Sequence, residues 1–477
     1  MDFSLRVKPI AVRAAGLLAV LGIMIAGTSC GDTYRPIAIP EQPTPPSPAA
    51  LHYVISLSSN GVCPVQSTGQ VCAAGASSKI DVAGDTAVGA AVVGLSPVHA
   101  TVSPNGATVF VADQMENTIS YYSPSQVTPV SSISLPSDAA PDFVTATDNV
   151  SLYVANAGNN TVSDVSTSNE EVVRTSSVGP TPVALAELPN ASKVYVANHG
   201  TGASPVNGSV QSISGLDGSV APIGNSSWKA PVWMVARNDS NRVFALDQGT
   251  GFVSAIDTAA DAVVGTANVQ PGANFIAYDA NLSRLYVTNP VARTLTVLNA
   301  TSDSLALIGS VSFGAASAAC PSGCTPLSVS PLPDGSRVYV ASYQTAGSCS
   351  QAGDTPPCVS AQITVITATN LSVNKTIPIT LTNSSGTKSD TPDLAVCDTT
   401  RFRIFTAAAA DSTRVYMSYC DAGATAIIRT TPNTSPGSEN TQDYLVTSLN
   451  APVSANSAPV AGAQPPPQNP VFVIPGP

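Results

Sequence analysis

The chain has 477 residues, a net charge of −11 and only 10% charged residues. This acidity argues against nucleic acid as a partner, because it repels phosphate backbones. The hydrophobic fraction of 43% suffices for a core and excludes general disorder, and the scarcity of Lys, Glu and Arg favours strands over exposed helices.

The first 29 residues have the layout of a secretory signal peptide. Arg6, Lys8 and Arg13 precede an apolar stretch at 14–26 that is too short to span a bilayer comfortably, and small residues follow. Cys30 comes next, in an arrangement that resembles the lipidation site of bacterial lipoproteins, although Gly27 stands where those proteins usually have Leu. We expect Cys30 to become a lipidated N-terminus. The alternative is plain secretion with an incidental cysteine.

Two Pro-rich stretches flank the main part of the chain. Residues 30–50 contain six prolines and are predicted to form a stiff, extended tether. Residues 459–477 form a Pro-rich tail in which 471–474 (VFVI) is a short apolar run. The main domain is therefore expected to cover 51–458.

A short sequence motif with a central aromatic residue recurs along this domain. The central aromatics are Phe110, Tyr153, Tyr195, Phe244, Tyr286, Tyr339 and Tyr416. In each unit an apolar run comes before the aromatic strand, and an alternating run and a last strand come after it, with Asn, Gly and Asp turns between them. This order predicts four short antiparallel strands per unit. Repetition every 40–50 residues predicts an all-β propeller of four-stranded blades, because a ring of sheets buries both faces of each sheet and protects the edges.

The sequence leaves the number of blades open between seven and eight. Residues 51–96 resemble the second, third and fourth strands of a unit, without a first strand. The run at 471–474 could supply that strand and close the ring with strands from both termini, which gives eight blades and is favoured. If 51–96 instead caps the ring, the number is seven.

The copies LYVTN (285–289), NTVS (160–163) and DVST (164–167) resemble the YVTN-repeat β-propeller family. The resemblance covers roughly 51–457 and implies an exported bacterial or archaeal protein. Similar rings include binding modules, dehydrogenases, lactonases and lyases, so the resemblance implies the fold and no single activity.

The eight cysteines after Cys30 fall into four pairs of near neighbours. The predicted disulfides are Cys63–Cys72, Cys320–Cys324, Cys349–Cys358 and Cys397–Cys420. An even number of cysteines in an exported chain is typical of disulfides. A zinc site at Cys320 and Cys324 is the alternative, but zinc needs four ligands and no His lies nearby. We expect no metal and no cofactor.

The positions eleven residues before the repeat aromatics are candidate ligand contacts, because they fall early on the first strands, near one mouth of the channel. They are His99, Asp142 (or Phe143), Ala184, Trp233, Phe275, Ser328 and Phe405. Large side chains there could form a platform for a sugar or peptide, or wedge between blades as packing. The same two possibilities apply to His99, and His52 and His199 are interpreted as surface or strand residues.

Other polar residues have a structural and a functional interpretation. Arg401 and Arg403 could clamp a ligand carboxylate, or they could be ion-paired or solvated. A set of Asp and Asn residues follows the aromatic strands and is interpreted as turn-forming rather than as a cation ring: Asp113, Asn156, Asn198, Asp247 and Asn289.

The sequence favours a non-enzymatic binding or scaffold propeller, tethered by its lipid anchor at the bacterial cell envelope, on the periplasmic or surface side. We expect a monomer with an envelope protein or glycan as partner, and the insertions at 344–360 and 386–400 are candidate recognition loops. The alternative function is a lactonase-like hydrolase, or another propeller enzyme, that uses acidic residues at the channel mouth with a divalent cation. The alternative location is secreted.

Overall fold

The computed structural model describes residues 52–59, 74–202, 207–224, 227–346, 358–379, 382–383, 386–387, 397, 401–432, 441–452 and 469–476. The expected signal peptide, lipidation site at Cys30 and tether lie outside these residues, as do Cys63, Cys72 and Cys349. In the described part there is no helix with the length and apolar character needed to cross a membrane.

Eight four-stranded antiparallel sheets form the described part of the chain, with strands numbered in chain order. The first strands are β4 (Pro97–Val102), β8 (Pro141–Thr145), β12 (Pro182–Glu187), β16 (Pro231–Ala236), β20 (Phe275–Asp279), β24 (Thr325–Pro331), β30 (Ile404–Ala408) and β34 (Asn469–Pro475). The second strands are β1 (Tyr53–Ser59), β5 (Val109–Asp113), β9 (Ser151–Asn156), β13 (Lys193–Asn198), β17 (Arg242–Asp247), β21 (Arg284–Asn289), β25 (Arg337–Ala346) and β31 (Arg414–Tyr419).

The remaining strands complete each sheet outwards. The third strands are β2 (Ala76–Asp81), β6 (Thr118–Ser123), β10 (Thr161–Ser166), β14 (Ser209–Ser214), β18 (Phe252–Asp257), β22 (Thr294–Asn299), β26 (Cys358–Thr367) and β32 (Ala424–Arg429). The fourth strands are β3 (Thr86–Val92), β7 (Gln126–Ser134), β11 (Glu171–Ser177), β15 (Val220–Pro222), β19 (Ala262–Asn268), β23 (Leu307–Ser312), β27 (Val373–Ile379) and β33 (Tyr444–Asn450). A separate short pair consists of β28 (Thr382–Asn383) and β29 (Gly386–Thr387).

The ring closes by pairing the two ends of the propeller. Strand β34 pairs antiparallel with β1, which places Phe472 opposite Leu57 and Ile474 opposite Ile55. Each first strand packs against the first strand of the next blade, and β34 packs between β30 and β4. The structure therefore confirms the eight-bladed propeller closed by an N-terminal and a C-terminal strand. The predicted closing run at 471–474 extends to 469–475.

The repeat aromatics are core residues. Tyr195, Tyr286, Tyr339 and Tyr416 are fully buried on the second strands. Burial of a large apolar side chain contributes about 1.5–3 kcal/mol to the free energy of folding. The repeated aromatic motif therefore supplies each blade with part of its core. The fourth strands alternate between exposed and less exposed positions, as in β19, because only one of their faces packs against a neighbouring blade.

Ionic contacts link successive blades at the ends of the second strands that are remote from the channel mouth described below. Lys193 bonds to Asp261 at 2.8 Å, and Arg242 bonds to Asp303 at 2.6 Å. In each pair the cation begins a second strand and the carboxylate lies between the third and fourth strands of the next blade. These contacts fasten neighbouring sheets that share no backbone hydrogen bonds between named strands.

Two of the five polar residues after the aromatic strands, Asp247 and Asn289, accept hydrogen bonds from the turns that follow them. The Asp247 Oδ1 atom accepts hydrogen bonds from the backbone amides of Gly249 and Thr250. The Asn289 Oδ1 atom accepts in the same way from Val291 and Ala292. These bonds support the turn interpretation for both positions.

Candidate ligand-binding site at the channel mouth

Six aromatic side chains from the first strands form a closed cycle around the propeller axis, which we call the aromatic cycle. Successive ring centroids are separated by 3.8 Å (His99–Phe143), 5.6 Å (Phe143–Trp233), 4.8 Å (Trp233–Phe275), 5.3 Å (Phe275–Phe405), 4.3 Å (Phe405–Phe472) and 4.4 Å (Phe472–His99). Three of these separations lie in the usual range of aromatic pairs, about 4.5–7 Å, and the other three are shorter. The side chains therefore stabilise one another across the centre of the ring as well as within their blades.

The strand register explains why these residues meet. Each repeat-derived member of the cycle pairs with the residue two positions after its repeat aromatic: His99 with Ala112, Phe143 with Ala155, Trp233 with Leu246, Phe275 with Thr288 and Phe405 with Ser418. In the blade that contains β8, this register places Phe143, and not Asp142, at the position that points into the cycle. The two remaining blades carry Ala184 and Ser328 at this position. Two small residues among eight leave room for six rings around one axis.

A cavity of about 220 Å³ lies against the aromatic cycle, at the end of the ring where the first strands begin. Its wall consists of Val98, Val183, His199, Val232, Trp233, Gln248, Asn274, Phe275, Leu327, Arg401, Phe402, Ile404, Phe405 and Phe472. Trp233 and Phe405 are partly exposed, whereas His99, Phe143, Phe275 and Phe472 are buried. The cavity therefore presents two aromatic faces supported by rings that cannot easily move away.

The rim of the cavity is formed in part by residues 401–403, which we call the rim segment. The Arg401 guanidinium forms an ion pair with the Asp142 carboxylate and donates a second hydrogen bond to the Asp142 carbonyl oxygen at 2.7 Å. Gln114 donates to the same carboxylate at 3.3 Å. This ion pair joins the rim segment to β8, 259 positions earlier in the sequence.

The second arginine of the rim segment has different partners. The Arg403 side chain forms an ion pair with Asp421 at 3.2 Å and donates to the Cys397 carbonyl oxygen at 3.0 Å. Its guanidinium also lies over the Tyr343 ring. The two arginines thus engage separate carboxylates of the protein, and Arg403 is not in the cavity wall.

Disulfides secure this end of the propeller. Cys397 is bonded to Cys420, which connects the chain just before the rim segment to the turn after β31. Cys320 is bonded to Cys324, as predicted, and not arranged as a zinc site. Cys358 is also disulfide-bonded, while its expected partner Cys349 lies outside the described residues.

Two histidines at or near the cavity have lowered pKa values. Burial, with a smaller effect of the Arg401 charge, lowers the pKa of His99 well below its usual value. The His99 Nδ1 atom accepts a hydrogen bond from the Val144 amide at 3.4 Å. Burial also lowers the pKa of His199, although the charges of Asp247 and Asp142 act in the opposite direction. Both rings are therefore uncharged at neutral pH.

The structure brings together most of the side chains proposed from the sequence. Trp233, Phe275 and Arg401 line the cavity, and His99 and Phe143 support it as members of the aromatic cycle. Sequence reasoning missed Phe472, His199, Gln248, Asn274 and Phe402. Phe472 had a usable signal, since a strand at 471–474 was expected to complete a blade. His199 and Gln248 also had a usable signal, because each lies four positions after its repeat aromatic and directly after Asn198 or Asp247, whereas Asn274 had none.

Within the described residues there is no group of three or more His, Cys, Asp or Glu side chains that could hold a metal ion. The acidic residues nearest the cavity are already engaged by the protein. Asp142 is bound by Arg401 and Gln114, and Asp247 accepts hydrogen bonds from the backbone amides of Lys229 and Ala230 as well as from its own turn. The wall is thus mainly apolar, with a few polar side chains at its edge.

Neither a known protein family nor a curated protein matches the sequence, so the resemblance to the YVTN-repeat family is not confirmed beyond the propeller fold. Among solved structures, the chain is similar to hydrazine synthase of Kuenenia stuttgartiensis, with 16% identity, a TM-score of 0.44, and coverage of 74% of this chain and 86% of that one.

Two other solved structures show a similar likeness. A β-propeller domain from Myceliophteria thermophila has 9% identity, a TM-score of 0.49, and coverage of 70% of this chain and 97% of that one. A Bacteroides uniformis protein that bears the provisional name 6-phosphogluconolactonase has 10% identity, a TM-score of 0.49, and coverage of 89% of this chain and 99% of that one. At these values the likenesses assign no family and no activity, and the fold rests on the eight sheets of the chain itself.

Proposed function

We propose that this chain is a non-enzymatic binding β-propeller of the bacterial cell envelope, and that the channel-mouth cavity is its ligand site. The observation that carries the proposal is the aromatic cycle with a cavity of about 220 Å³ against it. Concave, mainly apolar cavities with a few polar groups are the usual form of ligand sites.

The rigidity of the wall favours binding. Trp233 contacts Phe143, Phe275 and Phe405, so its indole is positioned before a ligand arrives. A preorganised aromatic face loses little conformational entropy on binding, and such residues dominate the energetics of many interfaces. A scaffold role without a ligand would need packing at this position, but it would not need a partly exposed Trp233.

The competing proposal, a lactonase-like hydrolase with a divalent cation, has less support from the same geometry. A cation would need several converging carboxylates with free oxygen atoms. Asp142 and Asp247 instead hold the rim segment and a turn in place. To bind a cation, an enzyme of this class would have to break the contacts of Asp142 or Asp247 with the protein.

The location at the envelope rests on the N-terminal sequence and the disulfides. Disulfides are typical of oxidising, exported compartments. The small residues before Cys30 motivate the lipid anchor, with an envelope protein or glycan as the proposed partner and the monomer as the proposed state. Intact-mass measurement of protein purified from bacterial membranes tests the anchor. A chain that begins at Cys30 and carries acyl mass supports the tether, and an unacylated chain supports secretion.

The function itself is tested by two assays on the purified chain. Ligand-observed NMR with a library of small compounds should give hits that Trp233→Ala abolishes and Phe252→Ala retains, since Phe252 is a surface aromatic outside the cavity. Hydrolysis of glucono-δ-lactone with added Ca²⁺ should equal the rate in buffer. Saturable hydrolysis that Asp142→Asn removes would overturn the proposal. So would compounds that bind the Trp233→Ala variant as well as they bind the wild type.

A further inference from the structure

We propose that the cavity selects an uncharged, ring-sized apolar group with a hydrogen-bonding substituent, because the cation in its wall is neutralised by Asp142. This inference rests on the proposed binding function and names the ligand class. It draws on the volume of the cavity, the Arg401–Asp142 pair and the polar groups that are left without a partner.

The volume of the cavity accommodates one ring of a ligand. An apolar cavity of roughly 150 Å³ holds a benzene molecule. The cavity here has about 220 Å³, which leaves space for a single ring with one or two substituents. Drug-sized ligands usually occupy pockets of roughly 300 Å³ or more. A larger molecule would therefore place only one ring or side chain in this site.

The charges of the wall disfavour an anion. Arg401 is the one fixed cation in the described wall of the cavity, and its guanidinium is bound to both the carboxylate and the carbonyl of Asp142. The Asp142 side chain is only 9% exposed and that of Arg401 is 27% exposed, so the carboxylate is the better shielded partner. A ligand carboxylate would have to compete with Asp142 for Arg401 and would lie near a second buried carboxylate, Asp247. Burial of an unpaired charge is costly.

A cation is disfavoured by the same pair. Although aromatic faces attract cations, the Asp142 carboxylate is already paired with Arg401 and is not free to balance the charge of a ligand cation. The rest of the wall is mainly apolar, and its polar side chains, His199, Gln248 and Asn274, include no carboxylate that could balance the charge of a desolvated ammonium group. The charges thus leave a neutral group as the best occupant.

Two polar groups in the wall favour a substituent on the ring. Within the described residues, neither the indole N–H of Trp233 nor the side-chain amide of Gln248 has a hydrogen-bond partner in the protein. A hydroxyl or carbonyl oxygen on the ligand can accept from either group. A bare hydrocarbon would leave both without a partner once water is displaced, which costs free energy.

The test compares four single-ring probes by saturation-transfer NMR: p-cresol, benzoate, benzylamine and methyl glucoside. For the wild-type chain we expect p-cresol to bind at least ~10-fold more tightly than the other three, because it alone is uncharged and mainly apolar. Stronger binding of benzoate, benzylamine or methyl glucoside would overturn the inference while leaving a binding function intact. No binding of any probe would remove the proposed site itself.

A charge change in the wall makes the test sharper. Asp142→Asn leaves Arg401 without its carboxylate and should improve benzoate binding by about 10-fold relative to p-cresol. The double variant Arg401→Gln with Asp142→Asn has no charge in this pair and should retain the preference for p-cresol. Circular dichroism shows whether each variant is folded. Unchanged benzoate binding in folded Asp142→Asn would contradict the proposed role of the pair. If Asp142→Asn does not fold, the proposal is tested by the probe preference of the double variant and by the ranking of the four probes with the wild type.

Discussion

Arg414 in the last repeat forms two hydrogen bonds with Asp85 in the first blade, at 2.6 and 2.9 Å, although 329 positions separate them. Both side chains are largely buried. Asp85 lies in the turn between β2 and β3, where its φ of 52° is tolerated better by Asp than by most residues. The two-fold contact fastens the blades that meet where the ring closes, beside the β1–β34 pairing.

Loss of this contact should weaken the closed ring. Arg414→Met leaves the Asp85 carboxylate without its main partner, so we expect the free energy of unfolding to fall by about 3–5 kcal/mol. Urea unfolding followed by circular dichroism measures this change. The control is Arg174→Met, which removes a 4.0 Å ion pair to Asp164 and an exposed 3.3 Å hydrogen bond to the Leu216 carbonyl oxygen, and it should cost less than about 1 kcal/mol. Equal effects of the two substitutions would show that the closing contact has no special role.

The C-terminal strand should be required for a stable ring. A chain that stops at residue 468 lacks β34 and leaves β1 with an unpaired edge and Phe472 missing from the aromatic cycle. We expect a lower melting temperature and aggregation, because an open edge pairs with other chains. Addition of a synthetic peptide with the sequence of 469–477 should restore the melting temperature, and the same peptide with Val473→Asp should not. A truncated chain that melts like the full chain would refute this prediction.

Stability should depend on the protonation of Asp113. Burial raises the pKa of Asp113 to about 7, against the hydrogen bonds from Ser120, which lower it. The folded state therefore keeps a proton on Asp113 that the unfolded state loses near the ordinary carboxyl pKa of 3.8. Stability should fall as the pH rises from about 4 to about 7, since the unfolded state binds fewer protons over that range.

The substitution Asp113→Asn tests this dependence, because three other blades carry Asn156, Asn198 and Asn289 after the aromatic strand. We expect the variant to be more stable than the wild type by about 2 kcal/mol at pH 8, with little difference at pH 4. Thermal unfolding across this pH range provides the measurement. The control Asp247→Asn should destabilise at every pH, because one of its two acceptor oxygens becomes an amide nitrogen that cannot accept from the backbone amide of Lys229 or Ala230. A parallel pH profile for wild type and Asp113→Asn would exclude Asp113 as the source.

The Cys397–Cys420 disulfide should support the ligand site as well as stability. Replacement of both residues by Ser removes the covalent link beside the rim segment, and the sequence separation of 23 predicts a loss of about 3 kcal/mol. We also expect p-cresol affinity to fall severalfold, since Arg401 and Phe402 lose their anchor. Replacement of Cys320 and Cys324, which are 4 positions apart, should cost about 2 kcal/mol without the same loss of affinity. Unfolding curves measure the stability of the two double variants, and NMR titrations measure their affinity for p-cresol. An equal loss of affinity in both variants would contradict a specific role of Cys397–Cys420 at the site.

The fold was largely predictable because each blade repeats the same local pattern. An aromatic residue among β-branched neighbours, a polar turn and an alternating run were sufficient to place the second and third strands around Tyr286. The closing strand was predictable from VFVI at 471–474, since one blade lacked its first strand. The exact extent of β34 was not, because Asn469 and Pro470 carry no strand signal of their own.

The candidate site was predictable only where it follows the repeat. Trp233 and Phe275 were found by their fixed distance from the repeat aromatics, whereas Phe143 was the alternative to Asp142, which has that distance. The Arg401–Asp142 pair was not, because two residues 259 positions apart meet only after the ring has closed. Sequence reasoning therefore located the aromatic wall and left open whether its nearest cation was free or paired, which decides the charge of the ligand.

The most direct test of the binding site uses Trp233 as a reporter in the cavity wall. The chain has two tryptophans, so Trp228→Phe leaves Trp233 as the single indole. Its emission is recorded during titration with p-cresol, with excitation at the red edge of the indole band, where p-cresol does not absorb. A saturable change that excess benzoate does not reproduce would support a neutral-ring site at the channel mouth. A change that grows linearly without saturation, as collisional quenching does, would contradict it.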